Sequence, residues 1–489
     1  MKKVLIITAL FLLSATLFMS MALSGTSGTT SSFEQSDILT DSTSQTSTQE
    51  DNSVTTSLET SSQEISSQEI SSEKPSSKET SSEVTSSKET SSKETSSEET
   101  SSEKVSSKET SSEITSSAVT SSQEITETVT PTYNETRAIW ISYLELNSML
   151  AGGNKAEFVN NFKTACENVK SLNLNTVIVH VRPFSDALYK SDYFPWSHII
   201  NGVQGTNPGF DPLEEMVKIA HNAGLKIEAW INPYRIRTSN MALSNDNPAV
   251  KWAASDYVVS VGNNKYYNPA YSEVQDLIVN GVVEIVRNYD VDGIHFDDYF
   301  YPDPDEDFDK LAYQTLGNGQ TLGDFRRNNV TTLIRKVYNA VKNVNPSVTF
   351  GISPQGNNTI NYNQQYVDVK TIVRNGYIDY LCPQIYYGFE HGLSPFDKTV
   401  EEFNGYVKGT NVKLYVGMAA YKIGNVDNWA GSGKNEWLTT TDILKRQVLE
   451  TRKNNNCKGF FLYTYSSFFS SSLSEQMKTE IQNLKSILK

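Results

Sequence analysis

The stretch DVDGIHFDDYFYP, residues 290–302, places two adjacent carboxylates, Asp297 and Asp298, directly after an apolar run. Hydrolysis of a glycosidic bond needs two carboxyl groups, one acting as general acid and the other as base or nucleophile. We therefore take Asp297 as a candidate catalytic residue and Asp298, which begins the following turn, as a candidate partner. The alternative is that the two carboxylates only cap a solvated turn at the end of a strand.

Eight short apolar runs recur between residues 131 and 489, and amphipathic segments separate them. The runs are RAIWISY, NTVIVHVRP, LKIEAWINPYR, DGIHFDDYF, VTFGISPQG, IDYLCPQIYY, KLYVGMAAY and GFFLYTYSS. Asp211, just before a proline, predicts the start of one helix, and Gly224 predicts its end. Strand and helix alternating eight times predict an α/β fold, a (β/α)8 TIM barrel, because an open doubly wound sheet seldom contains eight such even units.

Polar and aromatic side chains share one face near the ends of at least five of these strands. The opposite face of a barrel strand packs against helices, so the polar face is expected to point into the lumen. Catalytic residues of this fold lie at the C-terminal ends of the strands. The residues on this face that we assign to substrate binding are His180, Arg182, Trp230, Asn232, His295, Gln384 and Tyr386. Tyr234 and Tyr387 add rings near strand ends, and such rings stack on sugar faces.

The second catalytic carboxylate is less well defined by the sequence than Asp297. Glu145, in the loop after the first strand, is the candidate beside Asp298, and Asp186 and Glu390 lie in other loops. Glu228 has the right alternation but lies deep in its strand, since Asn232 is nearer the end. No carboxylate ends the fifth or sixth strand, which leaves a non-catalytic barrel that binds cell wall or polysaccharide as an alternative.

The sequence predicts no metal and no cofactor. The loop YPDPDEDFD, residues 301–309, holds five acids but lacks the pattern of a calcium loop, so a solvated loop is the preferred interpretation. No glycine-rich phosphate loop follows the first strand. Most of the formal net charge of −15 lies before residue 131, and the nearly neutral remainder has no basic stripe for nucleic acid.

The N-terminal third of the chain has the composition of exported proteins. Residues 1–24 combine a basic start with a long apolar run and small residues, which is typical of a signal peptide. Residues 25–130 repeat Ser-Ser units such as SSKET and contain too few apolar residues to fold, so we expect a disordered Ser/Thr/Glu-rich linker. The barrel, residues 131–489, is therefore expected outside the cell, associated with the cell wall, and on a membrane only if the signal stays uncleaved.

Six motifs resemble those of the glycosyl-hydrolase-like 10 family, in the family's order and across essentially all of residues 135–489. They are RAIWISYLEL, VHVRPFSDALYKSDYFPWS, AWINPYRIR, DVDGIHFDDYFYP, FGISPQG and DYLCPQIYYG. The resemblance implies a secreted TIM-barrel glycoside hydrolase similar to divisome-localised enzymes that cleave peptidoglycan glycan strands lacking stem peptides. It places Asp297 at the catalytic position and adds Arg235 to the sugar-binding cleft. Gln355 departs from the SPFG that many members have at this point.

Overall fold

Parallel strand pairing closes into a ring in the computed structural model, which describes residues 134–489. The described strands are, in chain order, β1 (Thr136–Ile141), β2 (Thr176–Arg182), β3 (Lys226–Ile231), β4 (Arg235–Arg237), β5 (Val258–Val261), β6 (Asn264–Tyr267), β7 (Gly293–Phe296), β8 (Thr349–Ile352), β9 (Tyr380–Leu381), β10 (Lys413–Ala419) and β11 (Cys457–Tyr463). The ring runs β1, β2, β3, β7, β8, β9, β10, β11 and back to β1. The predicted (β/α)8 barrel is thus confirmed.

Helices connect the strands of the ring and cover its outer surface. The described α-helices span Tyr143–Leu150, Lys155–Ser171, His198–Asn201, Pro212–Asn222, Pro248–Lys251, Ser272–Asn288, Lys310–Leu316, Leu322–Val344, Asn358–Asn363, Val369–Arg374, Phe396–Val407, Glu436–Thr439, Ile443–Arg452, Tyr465–Phe469 and Glu475–Ile487. The predicted helix boundaries hold at Asp211, whose side chain accepts from the Glu214 amide, and at Gly224, where φ is +71°.

The connection after β3 contains a small sheet of its own. Strands β4, β5 and β6 pair antiparallel in the order β4, β6, β5 and precede the helix Ser272–Asn288. Because it leaves the C-terminal end of β3, this insert sheet lies on the face of the barrel where βα loops form active sites.

Large side chains fill the lumen of the barrel, so it is a packed core rather than a channel. This inner cluster consists of Ala138, Trp140, Ile178, Trp230, Tyr380, Cys382, Tyr415 and Phe461. Gly351 makes room for the Tyr380 ring, since a Cβ at residue 351 would lie 2.1 Å from it. Beneath the mouth, the lumen is thus closed by packed side chains, most of them aromatic.

Strand register brings three polar residues side by side at that rim. Ile231 on β3 pairs with Phe296 on β7, and Phe296 pairs with Ile352 on β8. The residues that follow these three are Asn232, Asp297 and Ser353, so the register places them in one layer at the C-terminal ends of neighbouring strands. The side chains on which catalysis could depend are therefore positioned by the most regular part of the fold.

The predicted signal peptide (1–24) and the predicted disordered linker (25–130) lie outside the described residues. Within residues 134–489 no helix is both long and apolar enough to cross a membrane.

Candidate active site

Asp297 is the centre of the polar layer at the barrel mouth. Its side chain is 3% exposed, and its Oδ2 accepts hydrogen bonds from Trp230 Nε1 at 3.0 Å and Asn232 Nδ2 at 3.4 Å. Its Oδ1 accepts from the backbone amide of Tyr299 at 3.2 Å. The predicted inward direction of Asp297 is what the structure shows, and three donors fix the orientation of the carboxyl group.

The surroundings of Asp297 suit it to exchange a proton near neutral pH. Burial raises its pKa to about 7, and the negative charge of Asp298 adds to the rise. The Arg235 charge and the hydrogen bonds from Trp230 and the Tyr299 amide act in the opposite direction. A carboxyl group with this pKa is protonated for part of the time at neutrality, as a general acid must be.

Asp298 follows directly and lies half-buried at the same rim. Its Oδ1 accepts from Gln384 Nε2 at 2.9 Å, and its Oδ2 accepts from Gln355 Nε2 at 3.4 Å. Gln384 also donates to the Ser353 carbonyl at 2.9 Å, which ties Asp298 to the ends of β8 and β9. The backbone turns at this point, with Phe300 N donating to Asp298 O at 2.9 Å. The turn allows consecutive residues to present both carboxyl groups at the mouth.

Two rings form a stack next to Asp297. His180 on β2 lies parallel to Trp230, with ring centroids 3.7 Å apart and an angle of 7° between the planes. Burial, followed by the charge of Arg235, lowers the pKa of His180 well below its usual value. Neither ring nitrogen of His180 has a hydrogen-bond partner among the described residues. Both nitrogens are buried and the side chain is 1% exposed, so His180 supports Trp230 instead of reaching the cleft as predicted.

Below the mouth, a chain of hydrogen bonds runs through the lumen. Tyr380 donates to Glu228 Oε2 at 2.5 Å, and its hydroxyl lies 2.8 Å from His295 Nδ1. His295 Nε2 lies 2.9 Å from Ser353 Oγ and accepts from Trp140 Nε1 at 3.2 Å. Burial lowers the pKa of His295 to about 3, so this ring is neutral. His295 was assigned to substrate binding, but it is 0% exposed and supports the layer above it instead.

Glu228 lies at the deep end of this chain, as its position in β3 predicts. It pairs with Gly293, the first residue of β7, whereas Asp297 follows the last. Burial raises the pKa of Glu228 to about 7, but the layer of Trp230 and His295 lies between it and the rim. It is therefore a poor partner for Asp297.

Arg235 is the first residue of β4, and its side chain extends from the insert sheet over the mouth of the barrel. Its Nε donates to the Pro183 carbonyl at 3.0 Å, and its amide donates to Asn232 Oδ1 at 3.3 Å. Asn232 thus joins the backbone of Arg235 to the carboxyl group of Asp297. The charge of Arg235 also lowers the pKa of Asp297, which agrees with the short connection between the two residues.

Tyr386 and Tyr387 follow β9 beside Gln384. The Tyr386 ring lies 5.9 Å from those of Tyr421 and Tyr463, and burial raises its pKa, with a smaller contribution from Asp298. Tyr387 packs on His391, with ring centroids 4.8 Å apart. Tyr386 therefore lies near the carboxyl pair, while Tyr387 supports the loop.

The structure corrects the prediction that Arg182 points into the cleft. His180 pairs with Trp230 but Arg182 pairs with Ile231, so the register shifts by one residue between them. This irregularity turns Arg182 to the outer face of β2. There its guanidinium lies 4.4 Å from the Phe194 ring centroid, and a Cβ on Gly281 of the helix Ser272–Asn288 would touch it.

Glu145 is occupied by contacts away from Asp297. Its Oε2 accepts from the Ser142 amide at 2.6 Å, and its Oε1 accepts from Thr464 Oγ1 at 2.7 Å and the Ser466 amide at 2.6 Å. These bonds join the end of β1 to the segment after β11. The geometry gives Glu145 a structural role and favours Asp298 as the second carboxylate.

Tyr234 does not reach the cleft either. Its side chain is 1% exposed and belongs to the main hydrophobic core, because the chain turns into β4 directly after it. The prediction that Tyr234 stacks on a sugar is therefore wrong, because burial under the insert sheet decides the direction of this ring.

Two rings and one amide lie at the site in addition to the residues that the sequence predicts. Phe184 and Tyr299 flank Arg235, and Gln355 binds Asp298. Gln355 shares the polar alternation of its strand and could have been found from it. Phe184 gives no such signal, since a phenylalanine after a strand is usually core.

The acidic loop 301–309 uses its carboxylates locally. Asp303 and Asp305 accept from backbone amides two residues on, and buried Asp309 pairs with Arg326. Among the described residues, no group of three or more His, Cys, Asp or Glu side chains could hold a metal ion.

Two neighbouring carboxyl groups at the mouth of a TIM barrel are the groups that glycoside hydrolysis requires. The chain matches the model of the family described as glycosyl hydrolase-like 10 over residues 135–431. It is 38% identical to the glycosyl hydrolase YngK of Bacillus subtilis over 339 residues, covering 64% of this chain and 66% of that protein. The chain belongs to the glycosyl hydrolase-like 10 family.

A second relative and a solved structure are also similar to this chain. The glycosyl hydrolase DigH of Escherichia coli is 36% identical over 310 residues, covering 58% of this chain and 70% of that protein. The chain thus spans about two thirds of the length of these relatives. The glycoside hydrolase domain of PgaB (BpsB) from Bordetella bronchiseptica is similar with a TM-score of 0.48 and 12% identity, covering 72% of this chain and 99% of that domain.

Proposed function

We propose that this chain is a secreted glycoside hydrolase that cleaves the glycan strands of peptidoglycan after their stem peptides have been removed. The observation that carries the proposal is the buried Asp297, held by Trp230 and Asn232, with a pKa raised to about 7 beside Asp298. Family membership supports the reaction class, and the motif resemblance to divisome-localised members supports the substrate.

Asp297 acts as the general acid. In its protonated form it gives a proton to the glycosidic oxygen as the bond to the anomeric carbon breaks. Trp230 and Asn232 both bond Oδ2, and the Tyr299 amide bonds Oδ1, so these donors orient the carboxyl group. The same donors stabilise the negative charge that remains on Asp297 after the proton has left.

Asp298 acts as the second carboxylate, attacking the anomeric carbon or activating the water that does so. Amide N–H groups from Gln384 and Gln355 bind its two oxygens, and such donors suit a carboxylate rather than a carboxylic acid. The negative charge of Asp298 also keeps the proton on Asp297 before the reaction. The two residues therefore act as one coupled pair.

The surrounding side chains bind the sugar. Tyr386 lies close to Asp298. The exposed Tyr299 ring, with 52% of its surface accessible, offers a flat face on which a sugar ring can stack. These groups belong to different loops, as is usual for barrel enzymes.

The purified chain should be incubated with intact peptidoglycan and with glycan strands stripped by an amidase, and soluble fragments should be identified by mass spectrometry. Fragments released only from stripped strands are expected, and their new ends identify the bond that is cleaved. Asp297→Asn should abolish release. Asp290→Asn is the matched control, because that side chain is 92% exposed in the same stretch of sequence.

Other outcomes would replace the proposal with a different one. Co-sedimentation with wall material but no fragments from either substrate would contradict hydrolysis of peptidoglycan and indicate a wall-binding barrel. Fragments from an α-glucan or an exopolysaccharide, but none from stripped strands, would keep the reaction and change the substrate.

Secretion is part of the proposal and rests on the sequence of residues 1–130. The segment 1–24 would direct export, and the Ser/Thr/Glu-rich segment 25–130 would let the barrel reach through the wall. Fractionation of cells that produce the chain, with N-terminal sequencing of the extracellular form, tests this. A chain that remains in the cytoplasm with residue 1 intact would contradict it.

A further inference from the structure

Arg235 is held in a cage of aromatic rings at the barrel mouth. Its guanidinium carbon lies 4.8 Å from the ring centroid of Phe184, 5.0 Å from that of Tyr299 and 5.8 Å from that of Tyr143. The three rings follow β2, β7 and β1, and Arg235 itself follows β3. Four neighbouring strands of the barrel therefore contribute to one arrangement, which we call the arginine cage.

The cage fixes the direction of the guanidinium. Its Nε is bound by the Pro183 carbonyl at 3.0 Å, and stacking against aromatic rings restricts the planar group further. Little of its side-chain freedom remains to be lost when a ligand binds. Such preorganisation is expected in a binding group and is unnecessary for a solvated surface arginine.

The charge of Arg235 is not neutralised by a direct ion pair. Within residues 134–489, Arg235 forms no ion pair, and only Nε of the guanidinium donates a hydrogen bond. Arg235 lies near enough to lower the pKa of Asp297, while the oxygens of Asp297 accept from Trp230, Asn232 and the Tyr299 amide. The two terminal nitrogens are thus left to bind an incoming group.

We propose that the arginine cage is a carboxylate subsite, and that the sugar bound next to Asp297 carries a free carboxylate. A guanidinium with two terminal N–H pairs matches a carboxylate in geometry and charge, and such bonds are stronger than those to a neutral hydroxyl. This inference rests on the proposed function for the identity of that sugar. In peptidoglycan it would be muramic acid, whose lactyl carboxylate is free only after the stem peptide has been removed.

The cage therefore gives a physical reason for a preference for stripped strands. While a peptide is attached, the lactyl group is a neutral amide with a bulky substituent, and it offers no charge to Arg235. Removal of the peptide exposes the carboxylate. The competing explanation is that Arg235 acts only on Asp297, whose pKa it lowers.

The two explanations are separated by substrates that differ in charge alone. The test uses soluble glycan oligosaccharides with free lactyl carboxylates, and the same oligosaccharides with the carboxylates converted to methyl amides. Turnover is measured with the wild-type chain, and binding is measured by calorimetry with the Asp297→Asn variant, so that affinity is read without hydrolysis. Both measurements are repeated with Arg235→Gln. The control is Arg327→Gln, since Arg327 lies 4.0 Å from the Tyr362 ring on another part of the surface.

The free carboxylate should bind roughly 10- to 100-fold more tightly than the amide, the range expected for charge-assisted hydrogen bonds. Arg235→Gln should remove this preference, mainly by raising KM for the acidic substrate, while Arg327→Gln keeps it. Added salt should weaken binding of the acidic form more than that of the amide.

Equal binding of the acidic and amide forms by the wild-type chain would overturn the subsite. The same result would follow if Arg235→Gln changed turnover of both forms equally and only shifted the pH profile. Arg235-dependent binding of the acidic form without any hydrolysis would leave the subsite standing and contradict the proposed function instead.

Discussion

Trp230 contacts Asp297 through its indole N–H, which donates to Oδ2 at 3.0 Å, while the face of the same indole ring is stacked on His180. One side chain thus orients the candidate acid and links it to a neighbouring strand. The pair lies in the layer that strand register defines, so its geometry follows from the barrel itself.

Asp297→Asn should lower kcat by about 10²- to 10⁴-fold, the usual contribution of a general acid, and should leave glycan affinity largely intact. The asparagine keeps the size of the side chain but cannot give up a proton. Steady-state kinetics on stripped glycan, with calorimetry for binding, provide the measurement. A variant with unchanged kcat would show that Asp297 only caps the loop.

The activity of the wild-type chain should decrease as pH rises through about 7. Asp297 must be protonated to act as acid, and burial together with Asp298 raises its pKa to about 7. Trp230→Phe keeps an aromatic ring but removes the N–H that favours the ionised form. In this variant the decrease in activity should therefore occur at higher pH. Its kcat should also fall by about 10-fold or more, as for loss of a hydrogen bond to a charged group. A decrease that moved to lower pH would contradict this assignment.

Glu228→Gln should stabilise the folded chain as pH rises, with little effect on turnover. The folded-state pKa of Glu228 is raised from 4.5 to about 7, so ionisation opposes folding. Relative to the wild type, the variant should gain free energy of unfolding between pH 4.5 and 7, reaching at most about 3 kcal/mol above that window. Denaturant unfolding at pH 4, 6 and 8 measures this. Glu214→Gln, at a side chain that is 55% exposed, is the control.

Glu145→Gln should reduce stability rather than catalysis. Its carboxylate accepts from Ser142, Thr464 and Ser466, and replacing it with an amide leaves part of this network unpaired. We expect a loss of about 1–3 kcal/mol in the free energy of unfolding. If kcat fell as far as in Asp297→Asn while the stability was unchanged, Glu145 would be the second carboxylate instead of Asp298.

The barrel could be predicted because its signals are local and repeated. Each strand is a short apolar run and each helix an amphipathic one, so the alternation appears in the sequence without knowledge of tertiary contacts. The same kind of alternation, of side chains along a strand, predicted that the Asp297 side chain points into the barrel. The prediction failed at Arg182, where one irregular position in the pairing of β2 with β3 reversed the alternation. No residue type in VIVHVRP indicates such a shift.

The partners of the site were harder to predict than its centre. Residue types in the loops after strands do not reveal whether a ring faces the mouth, as Tyr299 does, or the core, as Tyr234 does. The roles of Glu145 and Glu228 depend on donors far away in sequence, such as Thr464 and Tyr380. These contacts form because the closed barrel brings distant segments together. The order of residues along the chain does not show which segments meet.

Asp297 and Arg235 lie on different parts of the fold. Asp297 ends a strand of the barrel, whereas Arg235 begins the small antiparallel sheet inserted after β3. A relative could therefore lengthen or shorten this insert beyond Arg235, and so change the charge of the sugar it accepts, while Asp297 stays fixed at the end of β7. Substrate choice in such barrels would then diversify by exchange of a loop while the reaction stayed the same.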